Sequence, residues 1–391
     1  MKPPDGPVSL VRTDYLGRRP GGHREAARVV ARSAAGGPPP PSVFPVAALA
    51  SQPLPNLKQE VPMLRMLSVA LLAAFISEAR GASCWIEDAA ATGRTVWLLC
   101  QQRGLLVSED GGARWRQQVL PAETKLRAIE LLDSRRGFVV GDSGTLLASE
   151  DGGQTWRKIS TPAREHLTAI HFVGELGWIA GWGGTILHSS DGGKSWVRQV
   201  TPVPYSLEGI FFLDAEHGWA VGWTGAILRT TDGGRTWEPV RSPAASWSLS
   251  AVYFRNRQEG WAVGFGGQIL RSRDGGQSWE LQPSPVKDWL TSILFDETGR
   301  GWITTSDGFL TSEDSGQSWQ AVRLERSSFL HRLIQVDGSL WAVGPFGVLK
   351  RAEAGLAWQR VEISAAAEAA ALGSEGRNRA LAVPSDSNIS S

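Results

Sequence analysis

The chain has 391 residues, and its 40 lysines and arginines nearly balance its 39 aspartates and glutamates. This balance argues against a general nucleic-acid-binding protein, which needs a basic electrostatic field. The chain holds 18 tryptophans against 3 tyrosines, and most of the tryptophans occupy recurring positions, which indicates packing inside a repeat.

The first part of the chain differs in composition from the rest. Residues 1–62 carry clusters such as Arg18–Gly22 and Gly36–Pro41 and show no helix or strand periodicity. A segment with few large apolar residues cannot bury enough surface to offset the entropy lost on ordering. We therefore predict a disordered leader over residues 1–62.

Residues 63–82 have the pattern of a secretory signal peptide. A short basic start at Met63–Met66 precedes the apolar run Leu67–Ile76, and small residues follow. The run is too short to cross a bilayer as a mature helix. Two explanations of its position stay open: translation begins at Met63, or residues 1–62 are an organelle transit segment ahead of a second signal. Both predict an exported protein.

The sequence contains only two cysteines, Cys84 and Cys100. A disulfide between them, a free buried thiol and lipidation of Cys84 are all compatible with the sequence. Two cysteines do not decide the redox compartment.

A motif of the form Ser-x-Asp-Gly-Gly-x-(Ser/Thr)-Trp recurs along the rest of the chain, and its closing tryptophans lie about 40 residues apart. A seventh, degenerate copy of the motif ends at Trp358. This period, filled with short strands, is typical of a β-propeller blade. We predict an all-β, seven-bladed propeller of four-stranded antiparallel blades over residues 83–384, followed by a tail at 385–391. The six clear copies are Ser108–Trp115, Ser149–Trp156, Ser189–Trp196, Thr230–Trp237, Ser272–Trp279 and Ser312–Trp319.

Each repeat also contains a Gly-Trp-x-x-Gly strand such as Gly218–Gly222, with further apolar strands before and after it. No blade can bury both faces alone, so the ring must close. We expect strands from both chain ends to share one blade, with residues 370–372 and 379–383 closing against Thr95–Val107. Whether Trp85 and Ile86 add a strand there stays open.

The aspartates of the motif are predicted to be structural. Aspartate accepts hydrogen bonds from turn amides, the glycines adopt positive φ, and the hydroxyl before the tryptophan holds the hairpin. The copies are spread around the ring, one per blade, so no two of their carboxylates can cooperate in catalysis. We predict no metal and no cofactor. The aspartates concerned are Asp110, Asp151, Asp191, Asp232, Asp274 and Asp314.

The boxes with their Gly-Trp-x-x-Gly strands resemble two groups, best seen in Gly177–Trp196, Gly218–Trp237 and Gly260–Trp279. One is the broad class of neuraminidase-type Asp-box repeats. The closer one is the photosystem II assembly and stability factor family, with its bacterial relatives. This resemblance implies a propeller outside the cytoplasm: in the thylakoid lumen of a photosynthetic host, where it helps a photosystem II reaction-centre subunit assemble, or in the periplasm or on the surface of a bacterium.

Sialidases share this architecture, and their site needs an arginine cluster, a tyrosine nucleophile with a glutamate partner, and an acid. Tyr15 lies in the leader, Tyr253 in an apolar strand, and Tyr205 in a linker where Glu208 is the nearest glutamate. No Ser-His-Asp pattern or phosphate loop is present. We therefore predict a protein without catalytic activity.

One end of a propeller carries the turns between its second and third strands together with the links between blades. These turns contain Trp182, Trp223 and Phe265, and the links contain Tyr205, Trp247 and Trp289; aromatic anchors are typical of protein interfaces. Wedging of these rings between blades is the alternative. The basic residues His188, Arg229, Arg271 and Lys350 share a repeat position and predict a basic stripe, or simply solvated charges.

These observations favour an exported, non-catalytic and monomeric propeller that docks a segment of a membrane-protein subunit on an aromatic and basic face. A sialidase-like glycoside hydrolase and a carbohydrate-binding propeller are the alternatives.

Overall fold

The computed structural model describes residues 84–101, 104–244, 247–324, 329–345, 347–351, 358–361 and 363. These residues form seven four-stranded sheets, each antiparallel and each built from strands that follow one another in the chain. The predicted propeller fold and blade number are confirmed. The leader at 1–62, the signal sequence at 63–82 and the tail at 385–391 lie outside the described residues.

The first strands range from 3 residues in blade 6 to 7 residues in blades 1 and 3. The first strand of each blade is the innermost one and the fourth is the outermost one. Blades 1 to 4 contain β1 (Ile86–Thr92), β2 (Thr95–Cys100), β3 (Gly104–Ser108), β4 (Arg116–Val119), β5 (Leu126–Leu131), β6 (Gly137–Gly141), β7 (Leu146–Ser149), β8 (Arg157–Lys158), β9 (Leu167–Val173), β10 (Leu176–Gly181), β11 (Ile186–Ser189), β12 (Val197–Gln199), β13 (Leu207–Phe212), β14 (Gly218–Gly222), β15 (Ile227–Thr230) and β16 (Glu238–Pro239). Blades 5 to 7 contain β17 (Leu249–Phe254), β18 (Gly260–Gly264), β19 (Ile269–Ser272), β20 (Glu280–Gln282), β21 (Ile293–Phe295), β22 (Gly301–Thr305), β23 (Gly308–Ser312), β24 (Gln320–Arg323), β25 (Arg332–Val336), β26 (Ser339–Gly344), β27 (Gly347–Arg351) and β28 (Trp358–Val361).

The second strands read as continuous apolar runs because neighbouring blades cover both of their faces. Every residue of β14 and β18 is buried, whereas both residues of β16 are exposed at the rim. The hydrophobic core is therefore a series of layers between adjacent blades. One such layer joins Trp219 of blade 4 to Phe254 and Leu270 of blade 5.

The buried tryptophans of the second strands hold adjacent blades together. Trp219 stacks on Phe254 of the next blade with ring centroids 3.4 Å apart, and its indole N–H donates to the carbonyl of Gly275, 3.1 Å away. Trp178 makes the same two contacts one blade earlier, with Phe212 and Gly233. Both of these indoles therefore fill an apolar layer and also satisfy their own polar atom.

The ring closes without a shared blade, which differs from the expectation. All four strands of blade 1 come from Ile86–Val119, because the stretch after Trp85 supplies the innermost strand. This strand contacts the first strand of blade 7, and Trp341 of blade 7 packs against blade 1 in one core layer. The proposed closing segments at 370–372 and 379–383 lie outside the described residues, and blade 1 is complete without them.

A disulfide joins Cys84 to Cys100, whose Cα atoms are 5.4 Å apart. Cys84 precedes β1, and Cys100 ends β2. The bond therefore ties the start of the innermost strand of blade 1 to its neighbour, close to the place where the ring closes.

Candidate partner-binding face

The two ends of the blades carry different connections. The Asp boxes and the hairpins between first and second strands lie at one end, which we call the box face. The turns between second and third strands and the links between blades lie at the other end, which we call the mouth face. In blade 3, for example, Leu167 at the start of β9 pairs with Gly181, where the second turn begins.

The Asp boxes satisfy their polar groups internally. In blade 3 the carboxylate of Asp191 accepts hydrogen bonds from the hydroxyl of Ser189 at 2.8 Å, from the backbone N–H of Ser195 at 2.9 Å and from the hydroxyl of Ser195 at 2.6 Å. The bonds from Ser195 lower the pKa of Asp191 to about 2. The indole N–H of Trp196 donates to Gly193 in the same turn. The polar groups of this box are therefore paired within their own turn.

On the mouth face, four blades carry the same tight turn between their second and third strands. Its first residue donates its N–H to the link that arrives from the preceding blade: Trp182 to His166 and Trp223 to Ser206, both at 2.9 Å. Its third residue is glycine because a Cβ on Gly184 would lie 1.9 Å from the carbonyl oxygen of Val203. The backbone is thus held on both sides. The first residues of these turns are Asp142, Trp182, Trp223 and Phe265.

Aromatic side chains of these turns and links adjoin one another on the mouth face. The rings of Trp182 and Trp223 have centroids 6.2 Å apart, and the ring of Phe265 lies 5.5 Å from Trp247 and 6.5 Å from Trp289. About half of the surface of several of them is exposed, including 50% for Trp223 and 56% for Trp289. We call the following six side chains the aromatic face: Trp182, Trp223, Phe265, Tyr205, Trp247 and Trp289.

The predicted basic residues do not join the aromatic face. Arg229 donates from Nε to the carbonyl of Gly275 in the Asp box of the next blade, at 2.8 Å. Arg271 is buried against Trp261 and donates to Glu259 at 2.9 Å, and His188 stacks on Trp178. They sit at the box end of the third strands because each pairs with the buried aromatic residue of the second strand.

Sequence reasoning missed a set of residues at β-bulges in the innermost strands. In blades 2 to 5 the pairing of first and second strands skips Arg127, Thr168, Glu208 and Ser250 respectively, and in blade 1 it skips Glu87. A bulge leaves one residue outside the ladder and redirects its side chain. All five lie at the mouth end of the innermost strands. In blades 2 to 5 the signal was present as Leu-x-(Ala/Gly)-(Ile/Val), in which x changes its chemistry from blade to blade; blade 1 reads Ile86-Glu87-Asp88-Ala89 and lacks it.

The bulge residues contact the aromatic face and its surroundings. The guanidinium of Arg127 pairs with Asp142 and lies 5.7 Å from the ring centroid of Trp182. The hydroxyl of Ser250 accepts the indole N–H of Trp289 at 2.7 Å. The bulges therefore help to orient two of the aromatic side chains.

A charged cluster lies among the innermost strands. Arg332 of blade 7 is 3.2 Å from Asp88 of blade 1 and 3.9 Å from Glu130 of blade 2, whose carboxylate is 3.7 Å from His171 of blade 3. Burial, opposed by Arg332 and reinforced by Asp88, raises the pKa of Glu130 to about 7. Burial also lowers the pKa of His171 to about 4, although the carbonyl of Phe212 opposes this.

The tyrosines of the described propeller are not placed as a sialidase nucleophile would be. Tyr253 lies between Phe211 and Phe295, with ring centroids 5.3 Å and 5.6 Å away, and burial raises the pKa of its hydroxyl. Tyr205 belongs to the exposed aromatic face. In the described part of the chain, no cluster of three or more histidine, cysteine, aspartate or glutamate side chains is suited to a metal ion.

None of the helices in the described ranges is long and apolar enough to cross a membrane.

The fold and its boxes define the class: a seven-bladed β-propeller with Asp-box hairpins. The sequence profile described as "Photosynthesis system II assembly factor YCF48" matches residues 107–201 and 199–284, which lie in blades 1 to 5. The resemblance predicted from the sequence is therefore confirmed over these residues, which are similar to photosystem II assembly factors of this family. No curated protein sequence is similar to this chain.

Solved structures similar to this chain include two described as YCF48. One, from Cyanidioschyzon merolae, is 20% identical with a TM-score of 0.49, and the alignment covers 57% of this chain and 80% of that one. Another, described as bound to D1 peptide, is 24% identical with a TM-score of 0.36 and covers 59% and 92%. A streptogramin B lyase is 14% identical with a TM-score of 0.58 and covers 71% and 94%. At this identity the lyase shares the propeller fold alone.

Proposed function

We propose that this protein is an exported, non-catalytic assembly factor that docks a segment of a membrane-protein subunit on its aromatic face. The observation that carries the proposal is the exposure of adjoining aromatic rings on a backbone held by hydrogen bonds. Large exposed aromatic side chains act as interface anchors because they bury much area and lose little conformational freedom. The family match to a photosystem II assembly factor supports the same role.

The partner is proposed to be a photosystem II reaction-centre subunit if the host is photosynthetic. The D1 peptide named with one solved YCF48 structure makes synthetic D1 peptides the first probes to use. In another host, a different membrane-protein subunit takes this place.

Export is proposed from two independent features. Residues 63–82 have the composition of a signal peptide, and Cys84 and Cys100 form a disulfide, which persists in oxidising compartments. A photosynthetic host places the protein in the thylakoid lumen, and a non-photosynthetic bacterium places it in the periplasm or at the cell surface.

The absence of catalysis is proposed from the way the carboxylates are engaged. The Asp-box carboxylates bind their own turns, as Asp191 does, and Tyr253 is enclosed by aromatic rings. A screen against sialosides and other glycosides tests the hydrolase alternative, and a glycan array tests the carbohydrate-binding alternative. Turnover or selective glycan binding that depends on the mouth face contradicts the proposal.

The direct test compares two triple variants of the purified protein. One replaces Trp223, Trp247 and Trp289 with serine on the aromatic face. The matched control replaces three exposed apolar side chains of the outermost strands, Val119, Val197 and Leu281, with serine. We expect the first variant to bind D1 peptides at least about tenfold more weakly, because interface anchors each contribute about 2 kcal/mol or more. The control should bind as the wild type does.

Circular dichroism and thermal unfolding establish that both variants keep the fold. Equal peptide binding by the aromatic-face variant and the wild type, with the fold intact, contradicts the proposed face.

A further inference from the structure

Glu208 differs from the other charged bulge residues of the mouth face in lacking a cationic partner. Glu87 lies 3.2 Å from Lys125, and Arg127 pairs with Asp142. Among the residues that the structure describes, no lysine, arginine or histidine nitrogen lies within ion-pair distance of the Glu208 carboxylate. A half-buried carboxylate is costly to leave without an opposite charge nearby, because burial removes part of its hydration.

The environment of Glu208 is set by its bulge and by the neighbouring turn. Leu207 and Gly209 keep their places in the ladder while Glu208 is skipped, so its side chain is directed out of the sheet at the mouth face. Burial raises the pKa of Glu208, and the nearby indole N–H of Trp223 together with the more distant Arg127 opposes the rise. Leu207 pairs with Gly222, the residue before Trp223, so Glu208 lies beside an indole that is 50% exposed to solvent.

The protein already holds one cation in a similar setting. The guanidinium of Arg127 lies over Trp182 and is paired with the carboxylate of Asp142, so an aromatic ring and a carboxylate share one positive charge. The ring of Trp182 is 6.2 Å from that of Trp223. Next to the occupied site, Trp223 and Glu208 offer the same two groups, a ring and a carboxylate, with no cation of this chain between them in the described residues.

We propose that Trp223 and Glu208 form a receptor for one cationic side chain, a lysine or an arginine of the docked segment. The carboxylate supplies the charge, and the indole face supplies a cation–π contact, a combination that favours ammonium and guanidinium groups. This inference rests on the proposed function, because it names the chemistry of the segment that the aromatic face binds. It predicts that the segment carries a basic residue beside its apolar ones.

The test uses small probes, so that it does not depend on knowing the partner. The full-length protein is labelled with ¹⁵N at its tryptophan indoles and titrated with N-acetyl-arginine amide, N-acetyl-lysine amide and the uncharged N-acetyl-norleucine amide. The Trp223→Phe variant assigns the Trp223 resonance. We expect this resonance to shift with one or both cationic amides and to stay unchanged with the norleucine amide. The two cationic probes show whether guanidinium or ammonium is preferred.

Two isosteric variants separate the receptor from general electrostatics. Glu208→Gln removes the proposed charge and should weaken binding of the cationic amides about fivefold or more, as expected for a carboxylate and a ring acting together. Glu216→Gln removes the same charge from an exposed position of the box face and should leave binding unchanged. Glutamine keeps the shape of the side chain, so the bulge should be preserved.

Several outcomes overturn the receptor: a norleucine amide that shifts the Trp223 resonance as strongly as the cationic amides, cationic amides that leave it unchanged, or equal binding by Glu208→Gln and the wild type. The proposed function fails separately. One outcome is that the aromatic-face variant binds D1 peptides as the wild type does while Glu208→Gln no longer binds the cationic amides. In that case the proposal that a partner docks on this face is contradicted, and the proposal of a cation receptor is supported.

Discussion

The box face and the mouth face are made from the same repeats but use their polar groups in opposite ways. On the box face each aspartate binds the hydroxyl and amides of its own turn, as Asp191 does with Ser189 and Ser195. On the mouth face the bulge position changes chemistry from blade to blade, and Glu208 forms no ion pair with a cation of its own chain in the described region. Polar groups that hydrogen-bond to each other within one turn stabilise the fold. A carboxylate without an opposite charge nearby is instead available to bind a partner.

The largest expected effect comes from breaking the contact between blades that both faces depend on. Trp219→Ala removes a fully buried indole that stacks on Phe254 and donates to Gly275. We expect a loss of about 3–5 kcal/mol of unfolding free energy, because a large cavity forms in a core layer. Urea denaturation measures it. A loss below about 1 kcal/mol would contradict the layered packing described above.

The charged cluster between the faces should respond to pH in two opposing ways. The folded-state pKa of Glu130 is about 7 against a usual 4.5, so its stabilising contribution is present below pH 4.5 and lost as pH rises to about 7. The folded-state pKa of His171 is about 4 against a usual 6.5, so stability is gained as pH rises between these values. The two contributions nearly cancel in the wild type.

Single variants should reveal each contribution. Relative to the wild type, Glu130→Gln should become more stable by about 1–3 kcal/mol as pH rises from 4.5 to 7. Relative to the wild type, His171→Gln should become less stable by a similar amount between pH 4 and 6.5. Denaturation at constant ionic strength measures both, and parallel pH profiles for the wild type and Glu130→Gln would show that Glu130 titrates normally.

On the box face, removing one aspartate should weaken stability and leave binding intact. Asp191→Asn keeps the shape but removes the charge that accepts three hydrogen bonds. We expect a loss of about 1–2 kcal/mol at neutral pH. The difference from the wild type should shrink as pH falls from about 4 to 2, because the folded-state pKa of Asp191 is about 2. Reduced binding of D1 peptides by a folded Asp191→Asn would weaken the division between the faces.

The smallest effect on stability, but a large one on binding, is expected on the mouth face. Trp289→Ser removes a ring that is 56% exposed and its hydrogen bond to Ser250. The free energy of unfolding, measured by thermal denaturation, should change by less than about 1 kcal/mol, as is usual for exposed positions. The affinity for D1 peptides should fall several-fold. A large loss of stability with unchanged affinity would show that the ring is a structural wedge.

Much of the fold could be predicted because its determinants are local. The Asp-Gly-Gly turns, the Gly-Trp-x-x-Gly strands and their common spacing each specify a short hairpin, and repetition multiplies that signal. The aromatic residues of the mouth face could be placed for the same reason, since Trp182 and Trp223 occupy equivalent turns. Arg229 and Arg271 were predicted to lie beside the aromatic face, but they lie at the box end of their strands. Equivalent repeat positions show that two residues share one end of the blades, but they do not show which end it is.

The sequence by itself determined the number of blades and the strand order within a blade, because these depend on residues only a few positions apart. The tertiary structure alone decided how the ring closes, since the contact between β1 and β25 joins the two ends of the propeller. It also decided that Glu208 leaves its ladder beside Trp223 and that Arg332 meets Asp88 and Glu130. Such encounters depend on strand register and on side chains from blades far apart in the chain, which no local pattern specifies.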